Sequence, residues 1–295
     1  MADQDKHKHH KQPRHYLRGF AAPPSYAYQK ELDIWVYKKG EQSRHGVNPS
    51  LESIGDVGYG TNFYAFKKED MTIDFNKYEN QLMREFEQPG QPILDKIRNL
   101  EEITPNEKDI FAKYVGSTIT RGDWWKGVGD KALADSVQQI SDAVMKLIQS
   151  DAKRDSLRKL IANRGEEMGA GELMKASMIR KANDVSEILK LMVWRFIVVP
   201  DGMFYITSDK PIHYYYLQKP DSELIFPLSS NVTLSLSWQE FIPAGRPWKK
   251  RSESYWEADV KTVEHIRHIF CSTAIREVYC CKKAEWLVTF LNNRI

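Results

Sequence analysis

The hydrophobic period of this chain changes at residue 193, and that change restricts the fold more than any other feature. Up to that point Val185, Ile188, Leu189 and Met192 recur at the spacing of one helix face. From Val193 to Val199 the chain is instead a run of β-branched and aromatic residues broken only by Arg195. Helix-type and strand-type segments therefore occupy separate stretches, the pattern of an α+β protein and not of alternating βα units. The expected architecture is a central helical bundle packed against a mostly antiparallel β-rich C-terminal half. One domain would span 13–295, with its helical middle over about 76–192, its β-rich part over about 193–240 and C-terminal helices over about 258–295. Residues 1–12 would form a flexible basic N-terminus.

Local signals place the helices. Thr104-Pro105-Asn106-Glu107 puts a capping hydroxyl at the N-cap, proline at the first helical position and glutamate at the third. Ile110, Phe111, Tyr114, Val115 and Ile119 then form a buried face that should end near Arg121-Gly122. Before it, Tyr78, Leu82 and Phe86 predict one helical segment, and Ile93, Ile97 and Leu100 a second after a break at Pro89-Gly90. A further amphipathic helix is marked by Val137, Ile140, Val144, Leu147 and Ile148.

The strand signals begin early, with Leu32–Tyr37 leading into a turn. Val193–Val199 and Met203–Thr207, joined by Pro200-Asp201-Gly202, read as a β-hairpin. Ile225–Pro227 and Val232–Trp238 are further strands, the second with Thr and Ser alternating against apolar residues as in a half-buried strand.

At 295 residues with 41% hydrophobic and 28% charged residues, the chain has the composition of a globular protein with a sizeable core. Only Cys271, Cys280 and Cys281 are present, a count that fits a reducing compartment and no disulfide framework. The N-terminus lacks the apolar core of a secretory signal. The most apolar stretch is far shorter than the roughly 20 residues a membrane span needs. A cytoplasmic protein without a membrane partner is expected. The formal charge is +3, and residues 1–18 account for it: five Lys and Arg against two Asp, over a body with no net charge. Broad nucleic-acid binding needs a basic body, so a nucleic-acid partner is expected to bind only locally; a protein partner is equally compatible.

Four stretches in three blocks, the middle two forming one block, carry a family resemblance. His9-His10-Lys11-Gln12-Pro13-Arg14-His15-Tyr16-Leu17-Arg18-Gly19-Phe20 is followed by Phe204–Pro211 with its Ser208-Asp209-Lys210-Pro211, then Phe226-Pro227-Leu228-Ser229, and finally Ala274–Tyr279. In order and spacing these resemble the bacterial domain of unknown function 4238 family, whose N-terminal signature runs His-His, two residues, Pro, Tyr-Leu and Phe. Lys11-Gln12 stands where relatives usually have Tyr-Val. The resemblance implies a bacterial, cytoplasmic protein whose family has no established biochemical role. It also implies that Glu79 and Arg121 fall where relatives carry a helical glutamate and an arginine closing a helix.

Asp209 ends a strand before a proline-restricted turn, where a carboxylate is either aimed for chemistry or bonded to backbone amides. His10 and His15 flank Pro13, and Tyr16, Leu17 and Phe20 argue that their segment docks on the core. The sharpest reading brings His10, Glu79 and Asp209 together as catalytic residues and ligands of a divalent metal. Arg121, Ser208 and Tyr16 would then bind substrate in a metal-dependent hydrolase or nuclease. The alternative is a non-catalytic binding or regulatory protein that recognises a small anion or a protein partner. Arg246–Arg251 reads as a basic loop around Trp248, Trp124-Trp125 as a seal on a helix end, and Cys280-Cys281 as core residues of a late strand. Gly55, Gly58 and Gly60 read as a plain loop, because the Lys-Ser/Thr ending of a phosphate cradle is missing.

Overall fold

A computed structural model describes residues 8–23, 32–39, 47–61, 65–67, 72–74, 76–121, 170–215, 223–238 and 248–293. The fold is α+β. In chain order it opens with β1 (Lys8–His10), α1 (Arg14–Leu17) running into a 3-10 turn, β2 (Asp33–Lys38), β3 (Ser50–Ser53), β4 (Tyr59–Thr61), β5 (Phe66–Lys67) and β6 (Ile73–Asp74). The helical part comprises α2 (Lys77–Leu82), α3 (Gln88–Arg98), α4 (Pro105–Thr120) and α5 (Ala170–Leu191). Then come β7 (Val193–Val198), β8 (Thr207–Ser208), β9 (His213–Tyr215), β10 (Glu223–Pro227), β11 (Val232–Ser237), β12 (Lys249–Lys250) and β13 (Tyr255–Glu257). The chain closes with α6 (Val260–Thr273), β14 (Glu277–Cys280) and α7 (Glu285–Asn292).

The capping box forms as its residues dictate. Glu107 N donates to Thr104 Oγ1 at 3.2 Å and Thr104 N to Glu107 Oε2 at 2.8 Å, so α4 starts where expected and ends on Arg121. The break expected at Pro89-Gly90 is absent. A π-turn over Met83–Glu87 joins α2 to α3, and Pro89 follows directly after it, where the wider turn already interrupts the regular i→i−4 ladder. The wider turn therefore carries one helix through a proline that periodicity alone takes for a stop. The amphipathic helix expected around 137–148 and the Trp124-Trp125 pair lie outside the described residues.

Two larger sheets organise the strands: a six-stranded one in the order β12-β13-β7-β11-β10-β9, and a four-stranded one in the order β3-β2-β14-β8. Pairings in both are antiparallel except that of β13 with β7. Alternation along β7 and β10 sends Phe196, Val198, Leu224 and Phe226 into one core, with Ile93, Ile97, Phe111 and Val115 of the helices. Ile197, Val199 and Ile225 point the other way, into a second core with Val263, Ile266 and Phe270 of α6. The six-stranded sheet is thus covered on both faces.

That coverage corrects two expectations. β11 is buried at all six positions because it lies between β7 and β10, so its Thr and Ser face protein and not solvent. Ser235 donates to Glu223 at 2.8 Å, and Ser237 accepts from Arg195 at 3.0 Å. The hairpin expected at 193–207 does not form either. Gly202 does make the turn, with φ +79° and Met203 N donating to Pro200 O at 3.1 Å. The chain after it leaves the six-stranded sheet, and Thr207-Ser208 pairs with β14 in the other one. The second sheet thus draws strands from near both ends of the described chain and not from 193–240 alone. Lys249-Lys250, expected in a loop, forms an edge strand on β13. The ordered N-terminal segment starts before residue 13, since Lys8–His10 pairs with Tyr59–Thr61.

Candidate functional site

The histidine-containing N-terminal segment is fixed to the body at every step. After β1, the amides of Lys11 and Gln12 both donate to Gly58 O, at 3.0 and 3.2 Å. Gly58 has φ +64°, and a Cβ there would lie 3.2 Å from Leu17 Cδ1, so glycine is required both by conformation and by the close approach of the segment. Gly58 therefore has a structural duty, and the plain-loop reading of this glycine cluster is corrected: Gly55 lies in a 3-10 turn and Gly60 in β4. Pro13 starts α1, and Tyr16, Leu17 and Phe20 on its inner face are all fully buried. The Tyr16 ring stacks on Phe226, with centroids 5.2 Å apart.

The segment lies along the helix formed by α2, the π-turn and α3, with polar contacts in register. His10 N faces Glu79 Oε1 at 3.4 Å in the first turn of α2. His15 Nδ1 lies 3.8 Å from Glu87 Oε2 at the end of the π-turn. In the last turn of α3, Arg98 donates to His15 O at 2.9 Å, Tyr16 O at 2.7 Å and Leu228 O at 3.0 Å. One buried guanidinium thus satisfies two carbonyls of α1 and one from the β10–β11 turn.

Around His15 the contacts close into a polar cluster. Its Nε2 is 3.0 Å from Tyr114 Oη, and Glu87 Oε1 accepts from Arg121 Nη1 at 2.7 Å. Arg121 is 2% exposed. Burial lowers the His15 imidazole to about 4, against the opposing pull of Glu87, so it is neutral near pH 7. Burial likewise pushes the Tyr114 phenol well above its ordinary range. The cluster is a neutral imidazole held between a carboxylate and a phenol, with an arginine neutralising the carboxylate. Of its members the sequence singled out Arg121 and considered His15. Tyr114 was legible only as a core position, and nothing local pointed to Glu87 or Arg98.

The remaining predicted residues have other duties. Both Asp209 oxygens accept backbone amides that lead into β14: Oδ1 from Ile275 at 2.8 Å and Oδ2 from Arg276 at 2.6 Å. The bonded alternative for Asp209 is the one observed, although its amides are distant in sequence and not those of its own turn. Ser208 is buried, donates to Lys210 O and accepts from Lys210 N. Tyr16 Oη lies 2.7 Å from Thr207 Oγ1 and donates to Pro227 O at 2.8 Å. Gln12 Nε2 donates to Ser208 O, which seats the N-terminal segment beside the Ser208-Asp209 turn. The structure thus brings the backbone amide of His10 to Glu79 and the segment to Ser208, but Asp209 does not complete a three-ligand set. Among the described residues no group of three or more His, Cys, Asp or Glu could hold a metal ion.

An exposed basic face remains. Arg14 and Arg18 stand four residues apart on the outer side of the docked turn, opposite the buried Tyr16 and Leu17. Arg14 Nε donates to His10 Nε2 at 2.9 Å, which fixes the guanidinium in place. Among the described residues neither arginine forms an ion pair.

These features define an α+β protein with a two-sided sheet and an N-terminal His-His segment folded into its body, and among the described residues no helix is long and apolar enough to cross a membrane. The chain belongs to the family described as Protein of unknown function (DUF4238), whose model matches residues 8–284. That match starts at the first residue of β1 and ends just before α7. Comparisons with curated proteins and with solved structures return no match.

Proposed function

We propose that the protein is a binding protein that recognises an anionic group, a phosphate or a carboxylate, at the arginine face of its docked N-terminal segment. The observation that carries this reading is the pair Arg14 and Arg18, both exposed, one helical turn apart and without acidic partners among the described residues. Residues 1–18 also hold the whole net positive charge of the chain. Two guanidiniums held one turn apart match the oxygens of a single tetrahedral or planar anion. The metal-dependent hydrolase reading has less support, because the contact of His10 with Glu79 is made by the His10 backbone amide and Asp209 is occupied by two amides.

The test is a thermal-shift titration of the full chain with inorganic phosphate, against sodium chloride at matched ionic strength. A ligand that binds only the folded state raises the melting temperature. The expected result is a saturable rise with phosphate that Arg14→Gln/Arg18→Gln abolishes. Equal curves for phosphate and chloride overturn the proposal. A rise with Mn²⁺ or Zn²⁺ that is lost in His10→Ala would return weight to the hydrolase reading.

A further inference from the structure

Two buried arginines differ in what neutralises them. Arg121 is paired with Glu87 at 2.7 Å. Arg267, in the middle of α6 and 9% exposed, has no acidic partner among the described residues. Its Nε donates to Phe204 O at 2.7 Å. Neither Nη makes a hydrogen bond among the described residues, and neither is sealed from solvent. Burial acts against the charge, while Cys280, Glu264, Cys281 and Cys271 favour it from a distance. None of those four is hydrogen-bonded or ion-paired to Arg267 among the described residues.

The surroundings of this guanidinium are aromatic. Its carbon lies 4.1 Å from the Phe204 ring centroid and 5.2 Å from that of Trp286. Lys282 Nζ lies 4.5 Å from the same Phe204 centroid, and Lys282 is exposed and forms no ion pair among the described residues. Three parts of the fold supply these side chains: α6, the segment after the Gly202 turn, and the passage from β14 into the first turn of α7. Phe204 is buried in the second core, and Trp286 packs against that core half-buried.

A charge removed from water is costly unless it is paired, and aromatic faces compensate for only part of that cost. An anion is therefore the group that Arg267 lacks. Because Nε is bonded to Phe204 O, the edge open to a ligand is the Nη1–Nη2 side of a planar fork, which matches the two coplanar oxygens of a carboxylate. Charge favours the same choice. One guanidinium among apolar side chains neutralises a monoanion, whereas a phosphate dianion would carry excess charge and a larger dehydration cost into the same place. The half-buried Trp286 ring offers apolar surface for the body of such an acid.

We propose that Arg267, Lys282, Phe204 and Trp286 form a second anion site, sharing no residue with the arginine face, that binds a small monocarboxylic acid with an apolar body. Arg267 takes the carboxylate on its two Nη atoms. Lys282 adds a second positive charge from the solvent side, and the apolar body lies against Trp286.

The experiment is isothermal titration calorimetry of the full chain with sodium benzoate, with benzamide as the neutral molecule of the same shape. Saturable binding of benzoate and none of benzamide is expected, and Arg14→Gln/Arg18→Gln should leave the benzoate affinity unchanged. Lys282→Glu, at an exposed position, adds an acid that competes for Arg267 and should weaken benzoate binding at least about tenfold. Arg267→Gln should abolish it; if that variant does not fold, Lys282→Glu and the benzamide comparison decide. Absence of saturable benzoate binding, equal binding of benzamide, an affinity unmoved by Lys282→Glu or by folded Arg267→Gln, or loss of binding in Arg14→Gln/Arg18→Gln would each overturn the proposal.

Discussion

Tyr16 Oη lies 2.7 Å from Thr207 Oγ1, across 191 residues of chain, and donates to Pro227 O as well. One phenol therefore ties the N-terminal turn to the β8 strand of one sheet and to the β10 strand of the other. Tyr16→Phe keeps the ring on Phe226 but leaves the buried Pro227 carbonyl and Thr207 hydroxyl without this partner. The expected loss is about 1–3 kcal/mol, the usual cost of stranding buried polar groups, read by urea unfolding. A variant as stable as the parent would mean that the phenol bonds add nothing beyond packing.

Asp209 tests the structural reading of the Ser-Asp turn. Its carboxylate accepts from Ile275 N and Arg276 N, one oxygen each. Asparagine offers one acceptor and turns an amide N–H₂ toward the other backbone N–H. Asp209→Asn should therefore lower stability by about 1–3 kcal/mol in denaturant unfolding. Unchanged stability would free Asp209 from this duty and reopen its candidacy as a functional carboxylate.

The neutral His15 makes stability depend on pH in a defined window. The unfolded imidazole titrates near 6.5 and the folded one near 4, so between these values the unfolded chain binds more protons. The contribution is fully present above about pH 6.5 and is lost as pH falls toward 4. A shift of that size corresponds to an upper limit on the order of 3 kcal/mol. Unfolding measured at pH 7.5 and at pH 4.5, in the parent and in His15→Gln, isolates the effect. The parent should lose more stability between the two conditions than the variant does, and equal losses would assign the pH dependence to other groups.

The contact between α4 and α5 depends on the absence of a side chain. A Cβ at Gly116 would fall 2.5 Å from Ala182 O, a backbone atom that cannot swing aside. Gly116→Ala should force the helices apart at a cost of about 1–3 kcal/mol, although alanine is the better helix former. A thermal melt against Lys113→Ala, on the exposed face of α4, provides the comparison. A melting temperature at or above the parent's would show that the helices can separate freely here.

What could be read from the sequence was what is encoded over a few neighbouring residues. The capping box at Thr104 and Glu107, the strand at Asp33–Lys38, the turn at Gly202 and the burial of Tyr16, Leu17 and Phe20 all follow from local chemistry and period. The α+β class follows from the change of period at residue 193. What the sequence left open depends on partners far along the chain. Whether Met203–Thr207 returns to β7 or crosses to β14 is decided by which edge is available, and β11 and β13 already flank β7. The alternation of β11 looks half-solvated until α6 covers the second face of the sheet. His15 becomes a neutral, buried group only when Glu87, Tyr114 and Arg121 close around it, and Asp209 finds its amides 66 and 67 residues away. Period and caps are short-range properties of the backbone, so the sequence determines them by itself. The protonation and hydrogen-bond partners of a polar side chain depend on what burial brings against it, and only the tertiary structure decides that.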